Sequence, residues 1–207
     1  MQNRHYRNRD DAAHQLAETL SERQWSDPVV LGVPRGGIPM ARIVAERLGA
    51  SLDVVLVHKI RAPENPEYAV GSVDEAGHVT LAGDTHGRAR DPAIQREIAE
   101  EQSVLESRRA RYGQPRQTLT DRDVIIVDDG AATGATIEAA INAVQAAHAA
   151  QVVVALGIAA PDVVARLERL ADFVLCPSQP RAFMAVSQGY DEFDQVSDEQ
   201  VERILAG

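Results

Sequence analysis

Two adjacent carboxylates and a loop of small residues make up the stretch of the sequence with the most chemical content. An apolar run at 124–127 ends in Asp128 and Asp129, and the loop that follows consists of Gly130, Ala131, Ala132, Thr133, Gly134, Ala135 and Thr136. Glycine lets a backbone approach a ligand closely, and threonine hydroxyls can donate hydrogen bonds. A helix predicted to begin around Thr136 offers N–H groups and a positive dipole end, which suit a phosphate.

The acid pair argues against two common phosphate-binding loops. A Walker A loop ends in Gly-Lys-Ser/Thr, and the loop after Asp129 contains no lysine. A Rossmann fingerprint has three spaced glycines and does not place two carboxylates before the phosphate. Because two anions repel a phosphate, they make sense if they face the vicinal hydroxyls of a ribose or a divalent cation. The full stretch therefore predicts a ribose 5-phosphate site, although Asp-Asp-Gly alone is also an ordinary strand-end turn.

Two basic segments are predicted at the same edge of the sheet. Pro34-Arg35-Gly36-Gly37 follows the first apolar strand, and its guanidinium fork suits a diphosphate. A plain glycine turn with a surface arginine is the alternative. His58-Lys59-Ile60-Arg61 ends a second predicted strand at 54–57. Lys59 either reaches a phosphate or pairs with a nearby carboxylate, and we interpret His58 as a packed or solvent-edge side chain.

The stretch from 124 to 136 closely resembles the signature by which type I phosphoribosyltransferases bind phosphoribosyl pyrophosphate (PRPP). The resemblance extends more loosely over 29–175 and is closest to a bacterial subgroup carrying Pro-Arg-Gly-Gly, for which it supplies no acceptor. It implies that Asp128 and Asp129 bind the ribose diol of PRPP, directly or through Mg²⁺. It also implies that the loop at 130–136 completes the PRPP site and that residues 131–136 wrap the 5-phosphate.

The resemblance further implies a pyrophosphate-binding loop and a mobile loop. Arg35, Gly36 and Gly37 occupy the position of the family's pyrophosphate loop. A mobile loop after the second strand closes over PRPP in the family and excludes water. Lys59 resembles the basic residue that this loop brings to the pyrophosphate, and Arg61 is a weaker candidate. The catalytic set implied by the resemblance is Asp128, Asp129, Lys59 and Arg35, with Mg²⁺ arriving on the diphosphate.

The implied reaction displaces pyrophosphate from C1 of the ribose by a nitrogen nucleophile, through a transition state that resembles an oxocarbenium ion. Purine-salvage members often carry an aspartate four residues beyond the first acid, where this sequence has Ala132. The acceptor and the general base therefore stay unassigned, with Asp74, Glu75 and Asp191 as candidate bases. A PRPP- or nucleotide-binding regulator without turnover is the main alternative, and a hydrolase or pyrophosphokinase-like relative is another.

Two aromatic residues near the C-terminus leave two roles open. In the family a hood over the sheet edge holds the base, often by aromatic stacking. The segment at about 177–207, which contains Tyr190 and Phe193, is predicted to supply this hood. The alternative is that the two rings anchor the segment to the core. Because homodimers are usual in the family, the resemblance also implies a homodimer, by analogy alone.

Apolar periodicity alternates strands with helices and predicts an α/β fold, an open, mostly parallel, doubly wound sheet with helices on both faces. We predict a single domain over 1–207, with a core at about 28–176 and a small insertion at about 60–121. Within the insertion, a hairpin is predicted from strands at 68–73 and 78–82. A charged helix follows at 94–111, and we interpret its charges as a solvated face.

Composition argues against several classes of protein. The formal net charge of the 207 residues is −10 and basic residues are scattered, so nucleic-acid binding is not expected. No apolar stretch approaches the length of a membrane span, and the first residues carry no apolar signal-peptide core. The single cysteine, Cys176, lies in an apolar run and is predicted to be buried. These features favour a cytoplasmic protein.

Overall fold

The computed structural model of the protein describes residues 4–63, 65–81, 90–113 and 116–207, and for residues 66–68 it describes the backbone alone. The strands of this part of the chain are β1 (Val29–Gly32), β2 (Ser51–Val54), β3 (Val57–Ala62), β4 (Asn65–Asp74), β5 (Val79–Leu81), β6 (Asp123–Ala131), β7 (Gln151–Ala159) and β8 (Phe173–Leu175). The helices are α1 (Arg9–Ser21), α2 (Gly37–Leu48), α3 (Pro92–Tyr112), α4 (Ala135–Ala146), α5 (Pro161–Leu167) and α6 (Asp198–Ala206).

The central sheet is parallel and has helices on both faces, which confirms the predicted fold class. Its strands lie in the order β2-β1-β6-β7-β8. Side chains of β6 alternate between two cores, since Val124 and Ile126 pack with α4 and α5, whereas Ile125 and Val127 pack with α1 and α2. Because both faces of the sheet are covered, its strands read as continuous apolar runs.

The predicted second strand at 54–57 is wrong, because the chain changes sheets within it. The segment stays hydrogen-bonded to the central sheet as far as Val55, whose N–H donates to the Gly32 carbonyl at 3.1 Å. The Leu56 carbonyl already accepts from the Glu75 N–H of the neighbouring hairpin at 3.3 Å. The chain continues as β3 in a separate antiparallel sheet of order β3-β4-β5. Hydrophobicity does not mark the switch, because the run is apolar on both sides of it.

The insertion is built on this small sheet and on α3. The predicted hairpin is confirmed by the antiparallel pairing of β4 with β5, and its predicted last residue, Ala82, lies outside the described residues. Three apolar side chains of α3, Ile94, Ile98 and Leu105, are buried in a core shared with β3 and β4. Helix α6 closes one side of this core through Val201.

The charges of α3 do not form a purely solvated face, which corrects the interpretation of the sequence. Glu101 is buried, and Arg109 donates from Nη1 to Asp53 at 2.6 Å and from Nη2 to Glu75 at 2.6 Å. The Arg109 Nη2 atom also donates to the Val54 carbonyl at 2.9 Å. These partners come from β2 and from the hairpin turn, so the arginine joins the central sheet to the insertion.

Local sequence features mark the ends of several helices. Helix α2 ends at Gly49, which has a φ of 64°, and Ser197 caps α6 by accepting from the Gln200 N–H. Asn8 caps α1, and its side chain accepts from the Asp11 N–H. In the described part of the chain, no helix has both the length and the apolar character of a membrane span.

Candidate active site

The acid pair lies at the carboxyl edge of the central sheet, at the end of β6. This strand runs further than the sequence predicts and includes both acids, with Asp128 beside Leu156 of β7. The turn after it reaches Gly134, whose φ of 78° is in the left-handed region, and α4 begins at the next residue. Thr133 and Thr136 are exposed. The unpaired N–H groups of the first turn of α4 therefore face an open loop, as a phosphate site requires.

The turn that carries Arg35 packs directly against the acid pair. A Cβ atom at Gly36 would lie 1.9 Å from the Asp129 Oδ2 atom, and a Cβ atom at Gly37 would lie 3.0 Å from the Asp128 Cα atom. The two segments meet because β1 and β6 are neighbours in the parallel sheet. The peptide bond between Pro34 and Arg35 is cis. The structure thus brings together the predicted ribose acids and the predicted pyrophosphate turn.

The two carboxylates sit in different surroundings. Asp128 Oδ1 accepts from the Asp129 N–H at 2.9 Å, and Asp129 Oδ2 accepts from Arg9 Nε at 2.8 Å. Burial raises the pKa of Asp128 well above its ordinary value, and the neighbouring negative charge of Asp129 adds to this effect. Burial also raises the pKa of Asp129, although the Arg9 guanidinium opposes the shift. The folded protein therefore disfavours two negative charges at this position.

Arg9 is the member of this cluster that sequence reasoning missed. It lies 120 residues before Asp129 in the chain, at the first position of α1, where arginine is common and carries no motif. Only the packing of α1 against α2 and β7 brings it to the strand end. No local signal in the sequence distinguishes it from the other arginines of the N-terminal segment.

The Arg35 side chain is partly exposed to solvent, and its contact with the carboxylate of Asp198 is long. Its side chain is 40% exposed, and its Nη1 atom lies 3.9 Å from Asp198 Oδ2 on α6. Asp198 also accepts from Arg111 at 3.1 Å. Since a surface contact of this length contributes little, the guanidinium of Arg35 can turn toward an anion bound above the glycine turn.

Lys59 and Arg61 lie on β3 of the small sheet, and the prediction that they end a strand of the central sheet is wrong. They nevertheless approach the loop at 130–136, the predicted phosphate site, because a cavity of about 320 Å³ is lined by Val57, His58, Lys59, Arg61, Glu101, Thr136 and Ala139. Arg61 donates to Glu101 at 2.7 Å, and His58 Nδ1 lies 2.5 Å from the same carboxylate. Lys59 is exposed and contributes a positive charge beside the start of α4.

Tyr190 and Phe193 pack beneath the acid pair. Tyr190 is 5% exposed, and its hydroxyl donates to the Asp129 carbonyl at 2.6 Å. Its ring stacks on Phe193 with centroids 5.0 Å apart and contacts Tyr6 at 5.6 Å. This arrangement favours the anchoring role for Tyr190, and stacking of a base on either ring stays a prediction.

The three residues considered as substitutes for a general base are engaged elsewhere. Asp74 accepts from the Ala76 and His78 N–H groups within its own turn. Glu75 is bound by Arg109. Asp191 Oδ1 pairs with His5 Nε2 at 2.8 Å. The structure therefore does not bring a substitute base to the acid pair from this set.

The donors at the strand end fit a magnesium ion that brings most of its own ligands. Hard carboxylate oxygens are available from Asp128 and Asp129, but Arg9 already holds one of them. Among the described residues there is no group of three or more histidine, cysteine, aspartate or glutamate side chains that could hold a metal. Mg²⁺ commonly keeps several waters and binds through one or two carboxylates and the phosphates of a substrate. These residues suit that mode of binding.

Comparison with known proteins identifies the family of this fold and site. The family model described as the phosphoribosyl transferase domain matches residues 4–191. The chain belongs to this family. A Mycobacterium tuberculosis H37Rv protein named "Putative phosphoribosyl transferase" is 43% identical over 201 residues, which cover 95% of this chain and 45% of that protein. This phosphoribosyl transferase chain thus spans less than half the length of its curated relative.

Solved structures of other proteins are similar to this phosphoribosyl transferase chain. The protein TT1426 from Thermus thermophilus is 45% identical with a TM-score of 0.88, and the match covers 97% of each chain. A purine phosphoribosyltransferase from Pyrococcus horikoshii is 22% identical with a TM-score of 0.50, and the match covers 86% of each chain. The second likeness concerns the fold alone.

Proposed function

We propose that this phosphoribosyl transferase domain uses PRPP and Mg²⁺ to transfer phosphoribose to a nitrogenous acceptor, with release of pyrophosphate. One observation carries the proposal, which is the direct packing of the Gly36-Gly37 turn against Asp128 and Asp129. A ribose held by the acids would have its C1 diphosphate above the turn. The 5-phosphate would then reach the exposed loop that begins α4, so the three parts of PRPP match three adjoining segments.

The ribose end of this proposal rests on the acid pair and the loop after it. Carboxylates at 128 and 129 would accept hydrogen bonds from the vicinal hydroxyls. The loop residues 131–136 would surround the 5-phosphate with backbone N–H groups and with the hydroxyls of Thr133 and Thr136. Gly130 supports this geometry, because a Cβ atom there would lie 2.6 Å from the Ile158 carbonyl.

The diphosphate end requires positive charge and N–H donors. Arg35 supplies a guanidinium above the turn, and the backbone of Gly36 and Gly37 allows close approach. Lys59, with Arg61 behind it, faces the phosphate loop from the small sheet. Mg²⁺, when bound, would neutralise charge on the departing pyrophosphate. Stabilisation of this charge is worth most where water is excluded.

In the proposed reaction a nitrogen atom of the acceptor bonds to C1 while the bond from C1 to the diphosphate oxygen breaks. The bonding electron pair leaves with pyrophosphate, and the acceptor loses a proton to solvent or to a base. Asp128 and Asp129 hold the ribose while positive charge develops on it. Their negative charge favours such an oxocarbenium-like state.

A PRPP- or nucleotide-binding regulator is the second candidate function. It is favoured by one observation, namely that Asp74, Glu75 and Asp191 are all engaged away from the acid pair. A protein that only binds PRPP needs no general base. It does need the same ribose and phosphate contacts, so the two candidates share a binding site and differ in turnover.

Turnover separates the two candidates. Purified protein, Mg²⁺ and PRPP are mixed with pools of nucleobases and other nitrogenous acceptors, and pyrophosphate release is measured. Release that depends on a pool supports the transferase, and splitting that pool names the acceptor. Calorimetric binding of PRPP without release favours the regulator. Asp129→Asn should abolish release while the protein stays folded, and unchanged release in this variant would show that the ribose site is misassigned.

A further inference from the structure

Arg9 is bound through all three nitrogen atoms of its guanidinium group. Its Nε and Nη2 atoms both lie 2.8 Å from Asp129 Oδ2, and its Nη1 atom donates to the Asp194 carbonyl at 2.6 Å. Its Cζ atom lies 3.8 Å from the centre of the Phe193 ring. The side chains of Arg9 and Asp129 are each only 12% exposed. This is a largely buried ion pair, in which loss of one partner leaves an uncompensated charge.

The guanidinium fork fixes the direction of the carboxylate. Both donors converge on Oδ2 of Asp129, and a Cβ atom at Gly36 would lie 1.9 Å from this same oxygen. The hydroxyl of a ribose would therefore meet the other oxygen, Oδ1, whose direction is set by the fixed Oδ2. A planar fork provides this control, whereas the flexible ammonium group of a lysine would act as a point charge.

Arg9 also changes the charge that an anionic ligand meets at the strand end. Asp128 and Asp129 are adjacent, and two ionised carboxylates beside a diphosphate and a phosphate repel them. The guanidinium of Arg9 compensates one of these charges at 2.8 Å. PRPP then encounters an acid pair that is less negative than two uncompensated carboxylates would be.

The same arginine ties the acid to the C-terminal segment. Phe193, which carries the guanidinium on its face, stacks on Tyr190, and the Tyr190 hydroxyl donates to the Asp129 carbonyl at 2.6 Å. Residues 190–194 and the start of α1 thus hold both the main chain and the carboxylate of Asp129. Asp129 is thus held from the C-terminal segment and from α1 as well as by its own strand.

We propose that Arg9 is a positioning residue of the PRPP site, which aims the Asp129 carboxylate at the ribose and compensates one charge of the acid pair. This inference rests on the proposed function, because it assumes that PRPP occupies the strand end. Arg9 acts through Asp129, and it requires no contact of its own with the substrate. The aiming and the charge compensation are separable by experiment.

The test compares two substitutions with two ligands. Arg9→Lys keeps the charge and loses the fork, whereas Arg9→Gln loses both. PRPP with Mg²⁺ contains the ribose that Asp129 holds, and pyrophosphate with Mg²⁺ does not. Arg4→Gln is the matched control, because Arg4 bonds Gln15 on the exposed side of α1. Affinities are measured by calorimetry, and thermal unfolding shows whether each variant is folded.

The expected pattern differs between the two ligands. Arg9→Lys should weaken PRPP about tenfold and leave pyrophosphate within about twofold of wild type, because only aiming is lost. Arg9→Gln should weaken PRPP by about 100-fold and pyrophosphate by about tenfold, because the uncompensated charge of Asp129 repels both. Arg4→Gln should change neither affinity by more than about twofold.

Each other outcome has a defined meaning. Wild-type affinity for PRPP in Arg9→Lys would overturn the positioning role, and so would equal loss for both ligands in an Arg9→Lys protein that thermal unfolding shows to be folded. If Arg9→Gln does not fold, the Arg9→Lys comparison alone decides the matter. A wild-type protein that binds neither ligand would overturn the proposed function itself, which is a different result from a failure of the Arg9 variants.

Discussion

Gly36 and Asp129 are in such close contact that a Cβ atom at position 36 would lie 1.9 Å from the Asp129 Oδ2 atom. The first belongs to the turn after β1 and the second to the end of β6, so the contact joins two neighbouring strands at their carboxyl ends. Any side chain at 36 must displace the carboxylate or its partner Arg9. The geometry of the acid thus depends on a residue that has no chemistry of its own.

Gly36→Ala should destabilise the protein by about 1–3 kcal/mol, the usual range for overpacking. The backbone at Gly36, with a φ of −63°, suits alanine, and an unhindered change there would gain about 0.4–1 kcal/mol. A decrease in the free energy of unfolding, measured by urea denaturation, therefore indicates the clash, whereas an increase indicates that alanine fits. In an Asp129→Ala background the same substitution should cost less. Additive costs would show that the two residues do not collide.

Asp128→Asn should raise the free energy of unfolding at neutral pH by about 0.5–2 kcal/mol while it weakens PRPP binding. Because burial raises the pKa of Asp128, the folded state prefers the protonated carboxyl. That stabilisation is present at low pH and is lost as the pH rises through the folded-state pKa. The advantage of the asparagine variant should therefore shrink as the pH falls. Exposed Asp10, changed to asparagine, should shift stability by less than about 0.5 kcal/mol.

Arg109→Met should lower the free energy of unfolding by about 3–5 kcal/mol, since it leaves Asp53 and Glu75 buried without their cation. Arg109 is 15% exposed and makes four hydrogen bonds to groups of β2 and the hairpin turn. Arg96→Met on the exposed side of the same helix is the control. Equal effects of the two changes on the urea midpoint would contradict the structural role given to Arg109.

Cys176 should resist thiol reagents in the native protein. Burial raises its pKa to about 12, and the thiolate is the reactive form. Its Sγ atom donates to the Ser178 carbonyl at 3.3 Å. Reaction with a disulfide reagent at neutral pH should be complete in denaturant and slower by at least about 100-fold without it. Rapid native-state reaction would show that the end of β8 opens readily.

Most of the central sheet can be predicted from the sequence, because its strands are buried on both faces and read as short apolar runs. The apolar run at 124–127 lies within β6, and the acid pair lies toward the carboxyl end of that strand as expected. Pro161 and Gly49 mark helix ends through backbone geometry that is local to each residue. These features depend on residues that are close together in the chain, so the sequence alone is enough to predict them.

The features that escape prediction depend on distant parts of the chain. Arg9 meets Asp129 only after α1 packs across the sheet. The sequence pattern does not mark Glu101 as a buried residue, although its carboxylate pairs with His58 and Arg61 in the structure. The change of sheets after residue 55 has no signal in the sequence, because both sheets bury apolar residues. The base-stacking role of Phe193 stays a prediction.

Lys59, which faces the cavity beside the start of α4, is the single lysine of the sequence. Its ammonium group is consequently the only side-chain amine available for acylation, and its exposure makes it accessible to an activated ester. A fluorophore attached there would sit where the small sheet faces the phosphate loop. Among the side chains, this amine is thereby the one position from which the approach of a phosphorylated sugar can be followed in real time by emission.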